Sequence, residues 1–163
     1  LPGIMLRYPD LYVTHVFGRL NEHTMENRYR GVATDVSRRI RKVSFIDNAY
    51  DYIASADIVI ARAGATSMAE FATIGRACII IPAEQLTGGH QLVNARLLER
   101  AGAIMVVREA GLDSELPKAI EQLTTDVNRR RRFEQAIRSF AVSDASQRIA
   151  QLLYDTCKQG YSK

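Results

Sequence analysis

Asp57-Ile58-Val59-Ile60-Ala61-Arg62-Ala63-Gly64-Ala65-Thr66-Ser67-Met68-Ala69-Glu70 leads, through a stop at Gly75, into Ala77-Cys78-Ile79-Ile80-Ile81-Pro82. Two short apolar runs, 57–61 and 77–81, thus flank a helical pattern over 67–74 that ends at Gly75. The runs are continuous rather than alternating, which is how strands buried on both faces of a parallel sheet read. Strand, helix, strand with short connections is a βαβ unit with a right-handed crossover. The same alternation extends outward. Residues 11–17 and 42–46 read as strands before this unit, and 103–107 as one after it, with helices over 48–55 and 91–100. The tail holds no strand pattern and reads as helices over 113–124, 126–140 and 143–159. The expected fold is α/β, a Rossmann-like doubly wound parallel sheet, with residues 1–163 forming one domain and 110–160 its helical C-terminal part.

Composition agrees with a globular domain. The chain has 163 residues, 47% hydrophobic and 25% charged. A chain of this size buries roughly 70% of the surface that its unfolded form exposes, so it needs no staples. No apolar run approaches the ~20 residues of a spanning helix. Trp is absent and aromatic residues are 7%, which argues against a base-stacking nucleic-acid platform. Cys78 and Cys157 form no CxxC or zinc spacing, a usage that suits a reducing compartment. The net charge of +4 draws on Arg38, Arg39, Arg41, Lys42 and the arginines at 129–132. Such runs are either a solvated helix face or a contact with an anionic surface such as phospholipid headgroups. The chain opens Leu1-Pro2-Gly3, without an initiator Met or a signal-peptide pattern, and is expected to be a piece of a longer protein.

Ligands of such sheets bind beyond the carboxyl ends of the strands, so the residues after each strand carry the search. After the third strand, Gly64 and Ala65 let backbone approach a ligand, and the helix that starts there offers free N–H groups to a phosphate. Glu70, about one turn in, can accept two hydrogen bonds from a ribose diol. Ser67-x-x-Glu70 is equally a capping box that needs no ligand, and both readings stand at this point. After the fourth strand a polar, Gly-rich loop runs into a helix with His90, Gln91 and Asn94 near its start. These side chains suit a sugar hydroxyl or a diphosphate, or are ordinary N-terminal polar residues. After the second strand, Phe45-Ile46-Asp47-Asn48 offers backbone groups to a base edge, while Asp47 or Asn48 serves equally as a helix cap. No Walker loop, GxSxG or metal-ligand spacing is present.

Taken together, Phe45-Ile46-Asp47-Asn48, the segments 56–60 and 62–70, His90-Gln91-Leu92-Val93-Asn94-Ala95 and Leu98-Glu99-Arg100-Ala101-Gly102-Ala103 resemble the C-terminal half of the MurG-like glycosyltransferases, family 28. The resemblance runs over roughly residues 40–155. It implies the C-terminal half of a GT-B fold that holds UDP-N-acetylglucosamine, while an N-terminal half holds a lipid-linked acceptor. By this resemblance Ile46 contacts uracil through its backbone. Glu70 holds the ribose. Gly64, Ala65 and Thr66 lie by the diphosphate, His90 and Gln91 reach sugar and phosphate, and Phe45 and Arg62 count among the donor-binding residues. The family's paired glutamines are here His90-Gln91. The family's C-terminal half also opens with a strand and a Gly-Gly-Ser-type loop that nothing before Leu11 matches. The sheet is therefore expected to lack its central first strand, leaving two flanking strands across a gap.

The function so implied is inverting hexosyl transfer from the UDP-sugar to lipid I in peptidoglycan synthesis, at the inner face of the cell membrane in the cytoplasm. No cofactor or metal is expected in this domain, no nucleic acid is a partner, and the general base is expected in the N-terminal half. This piece alone is expected to bind donor weakly and to transfer nothing. Two alternatives accompany this reading. One is a non-catalytic donor-binding subunit that docks on a membrane-anchored partner. The other is a UDP-sugar 2-epimerase-like domain, for which Glu84 and His90 are the candidate groups.

Overall fold

The computed structural model describes residues 2–83 and 90–160. Helix α1 (Pro2–Arg7) leads into strand β1 (Val13–Val16), helices α2 (Glu22–Tyr29) and α3 (Thr34–Arg38), and strand β2 (Ile40–Val43). Helix α4 (Ala49–Ser55), strand β3 (Ile58–Ala61), helix α5 (Ala65–Ile74) and strand β4 (Ala77–Ile80) follow. Helix α6 (His90–Arg100) and the two-residue strand β5 (Met105–Val106) complete the alternation. Helices α7 (Leu116–Thr125), α8 (Val127–Arg138) and α9 (Ala145–Gly160) form the tail.

Every strand pair is parallel, but the strands form two sheets, β1-β2 and β3-β4-β5. β1 and β3 do not pair with each other, so the sheet is parted where the absent first strand was expected. The parting shows in burial. In β4, paired on both sides, Ala77, Cys78, Ile79 and Ile80 are fully buried. Val16 at the end of β1 is 48% exposed, and Ile60 in β3 is 40% exposed.

Alternation along β4 sends its side chains to opposite faces. Cys78 and Ile80 join Met68 and Phe71 of α5, Leu98 of α6 and Ile137 of α8. Ala77 and Ile79 join Met5 of α1, Val36 of α3, and Ile120 and Leu123 of α7. Helices therefore cover both faces, as a doubly wound sheet requires. The second cluster also takes in Ile40 of β2 and has Val13 of β1 and Ile58 of β3 packed against it, so one core bridges the two sheets.

Two of the expected basic residues do not belong to a solvated face. Arg39 turns inward and donates to the carbonyls of Met5 (2.9 Å), Tyr8 (3.1 Å) and Leu11 (3.1 Å), which ties α1 to the start of β2. Arg130 donates to the Leu123 carbonyl at 3.0 Å and pairs with Asp57 at 3.4 Å. Arg38, Arg41, Lys42, Arg131 and Arg132 are exposed.

Several boundaries move. β2 starts at Ile40 and ends before Phe45 and Ile46, because its ladder is fixed by β1: Val13 N–H bonds the Arg39 carbonyl and Phe17 N–H the Val43 carbonyl. β5 is shorter than 103–107, with buried Ala103 and Ile104 as its lead-in after Gly102. α2 has no counterpart in the sequence reading, because none of its residues is buried and no apolar stripe marks it.

Candidate functional site

In a parallel sheet all strand C-termini meet at one pole. Gly18 and Arg19 (after β1), Ser44 to Ile46 (after β2), Arg62 to Gly64 (after β3), Ile81 to Ala83 (after β4) and Glu109 (after β5) lie there. At the β1-β2 end, Phe45 is 51% exposed, and the Arg19 guanidinium carbon stands 4.5 Å from its ring centroid. This cation–π contact, an arrangement worth ~0.5–1 kcal/mol at exposed sites, orients the ring. Ile46 beside it is half-buried. Asn48 occupies the N-cap position of α4, but its side chain makes no cap bond; its amide donates to the Asp51 carboxylate at 2.5 Å. The simple cap reading of Asp47-Asn48 therefore does not describe this turn.

The β3 end decides the ambiguity of Ser67-x-x-Glu70. α5 begins at Ala65 with Gly64 as its N-cap, so Ser67 is the third helical residue rather than the cap. No capping box forms, and among the described residues no side chain caps this helix. Its first N–H groups stay open toward the pole, where the dipole favours an anion. Thr66 and Ala65 are exposed at that opening. Glu70 lies further along the same helix, exposed and without a side-chain partner among the described residues. A Cβ at Gly64 would meet Ser67 Oγ at 3.6 Å, ordinary contact, so the backbone itself does not demand glycine there.

Two expected ligand side chains are already engaged. The Nη1 group of Arg62 donates to Glu109 Oε1 and lies 3.4 Å from the Ile81 carbonyl. Gln91 Oε1 accepts from the Ala83 N–H at 3.0 Å. Both residues therefore grip the segment that leaves β4. His90 opens α6; its side chain, like Glu84 and the loop 84–89, lies outside the described residues. Phe45 and Ile46 thus follow β2, Arg62 and Gly64 follow β3 and lead into the helix that carries Glu70, and Gln91, near the start of α6, holds the segment that leaves β4. Arg19 and Glu109 are additions that the sequence reading missed. The signal for both was present: Arg19 follows the first apolar run and Glu109 the fifth, each just past a strand end.

An apolar groove of about 250 Å³ lies between α5 and α6, lined by Ala65, Met68, Ala72, Asn94, Leu97 and Leu98 among others. It shares Ala65 and Asn94 with the candidate ligand residues. Among the described residues no three His, Cys, Asp or Glu side chains stand together as a metal site, and no helix is long and apolar enough to cross a membrane.

A parallel α/β unit with helices on both faces of its sheet belongs to the Rossmann-like, doubly wound class of folds. The chain belongs to the glycosyltransferase family 28 C-terminal domain family, whose model matches residues 2–149. It is 37% identical over 145 residues to the UDP-N-acetylglucosamine--N-acetylmuramyl-(pentapeptide) pyrophosphoryl-undecaprenol N-acetylglucosamine transferase of Sorangium cellulosum, covering 88% of this chain and 35% of that protein. The enzyme of the same name from Halothermothrix orenii is 34% identical over 151 residues, covering 91% and 41%. The chain thus spans little more than a third of the length of these relatives. Among solved structures, Acinetobacter baumannii MurG matches with a TM-score of 0.78 at 21% identity, over 94% of this chain and 44% of that one. A kitacinnamycin glycotransferase matches with a TM-score of 0.64 at 15% identity, over 92% and 37%. These likenesses confirm the Rossmann-like half of a GT-B fold.

Proposed function

We propose that this chain is the donor-binding unit of an inverting UDP-N-acetylglucosamine transferase that acts on a lipid-linked peptidoglycan precursor. The observation that carries the reading is the uncapped start of α5 with Glu70 exposed on the same helix, in a chain whose relatives carry that activity in their names. Uracil lies against Phe45 and the Ile46 backbone, the ribose diol bonds Glu70, and the diphosphate faces Gly64, Ala65 and Thr66. Arg62 and Gln91 complete the phosphate and sugar end, with His90 beside them. The acceptor hydroxyl attacks the anomeric carbon, the bond to the β-phosphate oxygen breaks, and UDP leaves. Charge growing on that oxygen is stabilised by preorganised N–H groups and the Arg62 cation. The base that takes the acceptor proton comes from an acceptor-binding half outside these residues, so this chain alone transfers no sugar. Exposed Arg38, Arg41, Lys42, Arg131 and Arg132 favour an anionic membrane surface at the cytoplasmic side.

The exposed row Ile149, Leu152 and Leu153 on α9 favours a donor unit that works against a second domain or subunit. Titration calorimetry of the chain with UDP-N-acetylglucosamine, UDP and ADP tests the core of the reading. The uridine ligands saturate, ADP does not, and Glu70→Ala weakens binding at least about tenfold, since hydrogen bonds to a charged group contribute ~1.5–3 kcal/mol each. Equal binding of ADP, or a Glu70→Ala chain that binds as before, would overturn it.

A further inference from the structure

We propose that Glu109 is an internal competitor for the donor's diphosphate: its carboxylate holds Arg62 in the unliganded chain, and Arg62 exchanges that carboxylate for phosphate when the nucleotide arrives. The inference rests on the donor-site reading above and adds a residue that tunes its affinity. Arg62 is the first residue after β3, and Glu109 lies just beyond β5, so their ion pair straddles the C-terminal end of β4 between them. The pair sits beside the open N-terminus of α5, which begins three residues after Arg62.

A guanidinium carries five N–H donors. Here, among the described residues, Nη1 alone meets Glu109 and the Ile81 carbonyl, and the remaining edge has no partner among them. The Arg62 side chain is 55% exposed and that of Glu109 32%, so the pair is open to solvent and to an incoming anion. A half-exposed pair of this kind is weak. A phosphate accepts the same fork bidentately and adds the field of the helix N-terminus, so the exchange runs toward the ligand. Gln91 is occupied in parallel by the Ala83 N–H, so the segment leaving β4 is gripped by two ligand side chains at once.

The test is a double-mutant cycle in the 163-residue chain, with UDP as probe and calorimetry as readout. Glu109→Gln tightens UDP about two- to fivefold, the range that such a pair supports. Glu109→Ala, which lacks any acceptor, gains at least as much. Arg62→Ala weakens UDP, and in that background Glu109→Gln gains markedly less, since no guanidinium remains to be released. Weaker or unchanged binding by both Glu109 variants overturns the proposal. An equal gain with and without Arg62 also overturns it, because the carboxylate would then act by repulsion of the ligand alone. If the parent chain binds UDP in a Glu70-dependent way while both Glu109 variants match it, the donor site stands and this inference falls. Absence of UDP binding in every variant ends both.

Discussion

Gly75 joins the helix that carries Glu70 to the strand that carries the core, and Gly75→Ala puts a measurable load on that joint. Its backbone lies in the left-handed region, φ 73° and ψ 48°, and its N–H closes α5 on the Phe71 carbonyl at 2.8 Å. An L-residue with a Cβ costs ~1–2 kcal/mol in that conformation. A Cβ there would also run into the middle of the Arg138 side chain, with Cδ at 2.6 Å and with Nε and Cγ as further clashes. Arg138 must therefore leave its place over the buried glycine, adding about 1 kcal/mol for the lost packing. The sum is ~2–3 kcal/mol. For a chain of this size that lowers the melting temperature by roughly 4–12 °C, at about 2–4 °C per kcal/mol. The assay is urea unfolding with a parallel thermal melt, on Gly75→Ala alone and in an Arg138→Ala background. In the second background only the ~1–2 kcal/mol of backbone strain remains. A loss under ~0.5 kcal/mol would refute the left-handed assignment, since surface changes of no consequence fall in that range. Equal losses in both backgrounds would refute the placement of Arg138.

Burial holds the His15 imidazole below its ordinary value, with Nδ1 2.7 Å from the Tyr29 hydroxyl. The unfolded chain then takes up a proton at higher pH than the folded one, so stability is full above about pH 6.5 and falls as pH drops below it, until folded His15 titrates too. His15→Gln flattens that acid limb, read by urea unfolding between about pH 7.5 and 5.5; an unchanged limb would refute the assignment. Burial pushes the Cys78 thiol up to about 12, whereas Cys157 is exposed. A thiol-reactive disulfide at mildly alkaline pH therefore labels Cys157 at once and Cys78 only on unfolding, and a native chain that loses both thiols together would contradict the core placement. The Tyr8 hydroxyl donates to Glu121 Oε1 at 2.6 Å and holds that carboxyl below its usual range. Tyr8→Phe lets the Glu121 value rise, which a carbon-detected NMR titration follows; no rise would mean that α1 and α7 do not meet through this bond.

The strands and the βαβ order were legible because burial on both faces forces continuous apolar runs, and 77–81 carries that mark without ambiguity. Gly75 was legible as punctuation for the same local reason. α2 was not, because a helix that buries nothing leaves no period in its sequence. Arg39 was not, because a charge run reads as solvated surface until the carbonyls of Met5, Tyr8 and Leu11 are brought to it. The parted sheet was anticipated only through the family pattern, since nothing within 11–17 or 57–61 says which neighbour a strand lacks.

The site depends on the feature that local sequence specifies least, the end of each element. Helix and strand ends shift by one or two residues under small changes in local bonding. Ser67-x-x-Glu70 is a cap if the helix begins at Ser67's successor, and it leaves the first N–H groups of the helix uncapped if the helix begins at Ala65. The structure takes the second course because β3 ends at Ala61, and Gly64 then turns the chain straight into α5. Phe45 and Ile46 would be strand residues if β2 ran to 46. They stand at the pole because the ladder to β1 ends at Val43. Both shifts have one cause: the parallel register of strands distant in sequence sets where a strand stops, and the residues left over become the loop. A chain can thus carry legible residue types while long-range pairing alone decides which of them stand at the strand-end pole. Substitutions that lengthen β2 or delay α5 should therefore damage nucleotide binding without touching a ligand residue.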